Sequence, residues 1–161
     1  MAHHKVAARL LILALAISLA VCRGQTQSKP MTAPDVVALL EKSGHSYTKV
    51  SDSVWEVVFE GKNIKQIPVR VTLAENIMVT ICKLADRKSL RLEPALLIKL
   101  MELNNDFDYV KLALTEDMLY VRMDTSLRLL DSDELNHALT QVSAAAEETY
   151  PHIAPFVSTA K

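Results

Sequence analysis

Residues 54–81 read VWEVVFEGKNIKQIPVRVTLAENIMVTI, and the alternation inside this stretch decides the fold class. Ile67, Val69, Val71 and Leu73 fall on one face of an extended chain, with Arg70 and Thr72 on the other. That is the period of two expected of a strand with one buried face. Val54 to Phe59 is rich in β-branched and aromatic residues and reads as a strand of its own. Gly61-Lys62-Asn63 separates the two as a turn, and Glu75-Asn76 introduces a further run, Ile77 to Ile81. A weaker run, Tyr47 to Val50, precedes them all. Connections this short join antiparallel neighbours, so the stretch predicts a four-stranded antiparallel meander.

Helical patterns flank the meander. Thr32-x-x-Asp35 with Pro34 in the first turn is a capping-box-like start, Val36, Leu39 and Leu40 recur at helical spacing, and Gly44 is a natural stop. This predicts a helix over 33–43. A second helix is predicted over 93–105, opened by Glu93 and Pro94. At 100° per residue its Leu96, Leu97, Ile98, Leu100, Met101 and Leu103 spread over roughly 220°, well beyond the ~100° stripe of a surface helix. Only Ala95, Lys99 and Glu102 fill the remaining side. Such a helix is expected to be covered on two sides, one by the sheet and one by another helix, a second subunit or a ligand. Tyr109 to Leu114 and Met118 to Met123 then alternate as two strands around Thr115-Glu116-Asp117. A last helix starts at Asp131 or Ser132, presents Leu135, Ala138, Leu139, Val142, Ala145 and Ala146 on one stripe, and is expected to stop at Tyr150 before Pro151. The order α-ββββ-α-ββ-α is an α+β domain, an antiparallel sheet with helices packed against it.

The N-terminus carries an address. Lys5 and Arg9 precede the unbroken apolar run Leu10 to Val21, and a polar stretch follows from Arg23 to Pro30. This is the pattern of a secretory signal peptide over 1–24, and the run is shorter than the ~20 residues of a membrane span. Ser18-Leu19-Ala20 allows cleavage after Ala20, and Gly24 offers a second point. Leu19-Ala20-Val21-Cys22 allows lipoprotein processing at Cys22, although Val21 stands where a smaller residue is usual. Residues 25–31 read as a polar linker and 32–161 as the domain. The chain is expected to work outside the cytosol, periplasmic or secreted, with membrane contact only if Cys22 is lipidated.

Removing the leader leaves 137 of 161 residues, enough for one domain with a core. That part carries 15 Lys and Arg against 19 Asp and Glu, a net charge of −4, which argues against a dedicated nucleic-acid binder. Cys82 is the one cysteine certain to survive processing, so no internal disulfide is expected. It sits in the apolar run Ile77 to Cys82 and reads as a small buried hydrophobe.

Several strings of this chain are also similar to a known family. A helix ends in Leu103-Asn104-Asn105. The strand Tyr109 to Leu114, the acidic turn Thr115-Glu116-Asp117 and the strand Met118 to Asp124 follow it. Gly44-His45-Ser46-Tyr47 closes the first helix, and Glu147-Glu148-Thr149-Tyr150-Pro151 closes the last. On these strings the chain resembles the YbjN family of bacterial domains, which share the fold of type III secretion chaperones, from about Ala33 to Ile153. The resemblance implies no enzymatic activity and no catalytic residues to carry over. It points towards dimeric chaperones that bind extended client segments. Those chaperones act in the cytosol before export, whereas this chain carries its own export signal.

Other candidate chemistry is weaker. Glu134 and His137 have the spacing of half a di-iron carboxylate site, but no second Glu-x-x-His exists. Asp106, Asp108, Glu116 and Asp117 lack the turn glycine of a calcium loop. Ser46, Ser51 and Ser53 have no nucleophile-elbow glycines. Lys83, Arg87, Lys88 and Arg91 form a basic stretch broken by Asp86 that could meet an acidic partner or lipid headgroups. The reading that follows is a non-enzymatic, exported domain with no cofactor or metal. It binds a protein or peptide partner, or a second copy as a homodimer, through Leu96, Leu97, Ile98 and Met101. The alternative is a small-molecule or lipid-binding module with its cavity between helix 93–105 and the sheet.

Overall fold

The computed structural model describes residues 31–158; the leader 1–24 and Cys22 lie outside them. The elements run α1 (Ala33–Ser43), β1 (Tyr47–Ser51), β2 (Val54–Phe59), β3 (Ile67–Leu73), β4 (Ile77–Asp86), α2 (Pro94–Asp106), β5 (Lys111–Leu114), β6 (Met118–Ser126) and α3 (Ser132–Ile153). Short 3₁₀ turns follow β4 and α3, at Arg87–Ser89 and Ala154–Phe156. The α+β order expected from the sequence is the order observed.

The strands form one six-stranded sheet in the order β1-β2-β3-β4-β6-β5, and every neighbouring pair is antiparallel. β1 to β4 are the predicted meander. The chain then leaves through α2, lays β5 at the far edge and returns with β6 between β5 and β4. The register explains the alternation. Val57, Val69, Cys82, Val121 and Leu112 lie opposite one another across five strands, and all are buried. One residue along, Glu56, Arg70, Ile81, Arg122 and Lys111 form the adjacent row on the other face. There Arg70 pairs with Glu56 at 2.9 Å and Arg122 with Asp124 at 2.6 Å. Among the described residues the helices cover the first face: α3 packs on β3, β4 and β6, and α1 packs on α3. One packed and one open face is the common arrangement of an antiparallel sheet with a single helical layer, and here the open face is mixed, with Val54, Val58, Val79 and Ile81 among its charged residues.

Local chemistry fixes the helix ends. The Asp35 carboxylate accepts from the Thr32 N–H at 2.8 Å, and Gly44 closes α1 at φ 76°, a left-handed conformation that glycine adopts without a Cβ penalty. Asp131 caps α3 by accepting from the Asp133 and Glu134 N–H groups, both at 2.9 Å. The α3 stripe of Leu135, Ala138, Leu139, Val142, Ala145 and Ala146 is buried as expected.

α3 corrects the sequence reading in one respect. It does not stop at Tyr150 but runs through Pro151 to Ile153. Proline has no N–H to give the carbonyl four residues earlier, which is that of Glu147. The Asn63 side chain supplies a donor instead, from Nδ2 to Glu147 O at 3.3 Å, so the helix continues without orphaning that carbonyl.

Candidate functional site

α2 is where the sequence leaves most apolar surface to account for. Leu96, Leu100 and Leu103 turn inward and are buried, and the helix packs on α3 and β5. Leu97, Ile98 and Met101 point away, 40%, 58% and 73% exposed. The two-sided cover expected of this helix is therefore half met within the described residues. β5 and α3 pack against one side of it, and among the described residues Leu97, Ile98 and Met101 stay exposed on the second. Of the four residues expected at an interface, Leu96 belongs to the core, and Leu97, Ile98 and Met101 share the open side. Exposed aliphatic surface forgoes about 25 cal/mol per Å² that burial would return, so three such side chains along one helix face mark a surface with something to gain from contact.

Beside them lies a shallow, open depression of about 520 Å³ lined by Ile98, Met101, Glu102, Asn105 and Asp106. Its lining combines the apolar Ile98 and Met101 with the acidic Glu102 and Asp106. Lys99 bridges to Glu102 at 3.3 Å along the same helix. The C-terminal end of α2 is pinned to the sheet, because the Asn104 side-chain amide bonds both backbone groups of Leu112 on β5. The Asn104 motif was visible in the sequence, but its bonding was not.

The remaining candidates disperse. His137 packs edge-on against the Tyr109 ring, centroids 4.9 Å apart, and among the described residues no group of His, Cys, Asp and Glu is placed to hold a metal ion. Asp106, Asp108, Glu116 and Asp117 are exposed, as are Ser46, Ser51 and Ser53. The basic stretch is partly consumed internally: Lys83 pairs with Asp86 at 2.8 Å and Arg91 with Glu93 at 2.8 Å. Arg91 also donates to Pro155 O at 2.7 Å and lies over the Phe156 ring. Cys82 is 1% exposed, and burial pushes its thiol up to about 12. No described helix is long and apolar enough to cross a membrane.

No protein-family model matches the chain, and no curated protein matches it. Solved structures do. The crystal structure of YbjN from E. coli superposes with a TM-score of 0.57 at 14% identity, covering 81% of this chain and 97% of that one. A chain of the heterodimeric ExoU–SpcU complex from the type III secretion system of Pseudomonas aeruginosa superposes with a TM-score of 0.53 at 17% identity, covering 73% and 97%. At these identities the likeness is one of fold. The sheet order, the helix layer and the extent of the match together give this chain a YbjN-like fold, the fold also found in that secretion complex.

Proposed function

We propose that this chain is an exported, non-enzymatic protein-binding domain whose contact surface is the open side of α2. The observation that carries the reading is the exposure of Leu97, Ile98 and Met101 on a helix whose opposite side is fully packed. A second copy of the chain is the simplest occupant, since pairing two such helices buries the same residues on both partners. An extended peptide lying along the helix would satisfy the same surface, and the ExoU–SpcU structure is a heterodimeric complex in which one chain has this fold. A ligand cavity between α2 and the sheet is disfavoured, because Leu96, Leu100 and Leu103 occupy that side with their own side chains. The leader and its cleavage place the domain outside the cytosol in this reading.

A photo-crosslinking residue at Ile98, expressed in the native cell envelope, tests the proposal. Adducts with a second copy or with another polypeptide are expected. Adducts with lipid alone, or none at all, would sink it. The mass of the mature N-terminus decides separately between a free end and an acylated Cys22.

A further inference from the structure

The connector between β2 and β3, residues 60–66, is folded around a carboxylate from the far end of the sequence. Glu147 on α3 accepts the backbone N–H of Lys62 at 2.7 Å and of Asn63 at 2.5 Å on Oε1, and that of Ile64 at 3.0 Å on Oε2. Successive N–H groups turned towards one anion form a nest, a concavity that recognises negative charge through backbone dipoles. Asn63 Nδ2 adds the bond to the Glu147 carbonyl that Pro151 leaves without an intrahelical donor. Gly61 is what allows so close an approach. A Cβ there would collide with Glu147 Oε2 and would lie 2.8 Å from Ile64 O. Three unusual choices, a glycine in the connector, a proline inside a helix and a glutamate one turn before it, thus serve a single contact.

We infer that Glu147 is a carboxylate latch: the connector 60–66 is a carboxylate-recognising nest held shut on α3 by this one side chain, and it opens as a unit when the carboxylate is removed. The connector has no ladder bonds of its own between Phe59 and Ile67, so releasing the latch leaves the sheet register untouched. Its backbone amides are the ones that lose their partners. Opening uncovers Ile64, which packs half-buried against the core. Segments tied by few buried contacts are those that open locally at free energies below global unfolding. The latch also has a stated chemistry. Glutamine in place of Glu147 can still accept on its oxygen, but it turns an NH₂ donor towards the donating Ile64 N–H, so one of the three bonds becomes a repulsion.

Amide hydrogen exchange on the intact chain tests this. Wild type should protect Lys62, Asn63 and Ile64. Glu147→Ala should speed their exchange by about tenfold or more while Val69 and Cys82, in the central strands, stay protected. Glu147→Gln should fall between the two. Added acetate should restore part of the protection in Glu147→Ala and change nothing in wild type. Unchanged exchange at 62–64 in Glu147→Ala removes the latch. Equal acceleration at Val69 and Cys82 also overturns it, since Glu147 would then support the whole fold. Failure of acetate to restore any protection overturns the carboxylate recognition.

Discussion

The side-chain amide of Asn104 bonds both backbone groups of Leu112, donating from Nδ2 to Leu112 O at 3.0 Å and accepting from Leu112 N at 2.7 Å. β5 is the edge of the sheet, and Leu112 lies opposite Val121 on the inner side. Asn104 therefore stands where the next strand would stand and satisfies groups that an exposed edge offers to any passing chain. Because α2 carries Asn104, the same two bonds dock the C-terminal end of the candidate binding helix.

Asn104→Ala should cost about 1–2 kcal/mol in denaturant unfolding, one net hydrogen bond plus partial desolvation of the other group. Asn104→Asp should be no better, since a carboxylate keeps the bond from Leu112 N–H but faces the Leu112 carbonyl. A loss within error for both variants would show that the edge needs no such cap.

The two sides of α2 should respond oppositely to charge. Leu100 is 7% exposed and Ile98 58%. Leu100→Asp puts an unpaired carboxylate into the core and should cost more than about 4 kcal/mol, enough to unfold the domain. Ile98→Asp should shift stability by no more than about 0.5 kcal/mol while lowering the mass seen in sedimentation, if the wild type associates. An Ile98→Asp variant that unfolds would place that residue in the core instead.

How far the sequence was legible follows from the range of the interactions. β2 and β3 came out at their observed bounds because period-two alternation is a local signal, as did α1, whose start and stop both lie within its own residues. β4 and β6 run further than expected, to Asp86 and Ser126. β6 continues through Thr125, a buried polar residue that breaks an apolar reading, and β4 continues through an irregularity between Lys83 and Ala85, where the period of two slips. β5 starts at Lys111 rather than Tyr109, although Val110 is buried, because burial alone does not make a ladder. In α2 the composition reveals an excess of apolar surface but not which arc the chain itself covers, so the sequence does not separate the buried Leu96 from the open Leu97, Ile98 and Met101. The Glu147 contact joins residues more than eighty positions apart, and no window along the chain could contain it.

Cys82 should be chemically silent in the folded chain. Its thiol is buried and pushed up to about 12 by desolvation, so almost none is thiolate at mildly alkaline pH, and the thiolate is the reactive form. A thiol reagent should label it only at the rate of unfolding. Cys82→Ala should cost about 1 kcal/mol, and a reductant should leave the melting curve unchanged. Rapid labelling under native conditions would contradict the packing of β4.

Acid should weaken the latch. The N–H groups of Asn63, then Ile64 and Lys62, hold the Glu147 carboxyl below its ordinary value of 4.5; burial opposes them, and the Lys62 charge adds to the lowering. With the folded value depressed, the stabilisation is complete above the ordinary value and is lost as pH falls through the folded one. The stability advantage of wild type over Glu147→Gln should therefore be flat from neutral pH down to about 4.5 and shrink below it. An advantage that grows on acidification would reverse the assigned sign.

Pro151 and Asn63 should be coupled although neither touches the other's backbone ladder. Proline at 151 denies Glu147 O its helical donor, and Asn63 Nδ2 fills the vacancy at 3.3 Å. In Pro151→Ala the N–H returns, and alanine suits a helix interior far better than proline. Asn63→Ala should then cost less in the Pro151→Ala background than in wild type, by about 0.5 kcal/mol or more, the scale of coupling between residues that share a partner. The Glu147 carboxylate is untouched by either change, so its three bonds to the connector cancel from the double-mutant cycle. Additive effects in thermal or denaturant unfolding would mean that water serves the Glu147 carbonyl as well as Asn63 does, and that α3 tolerates Pro151 without help from the connector.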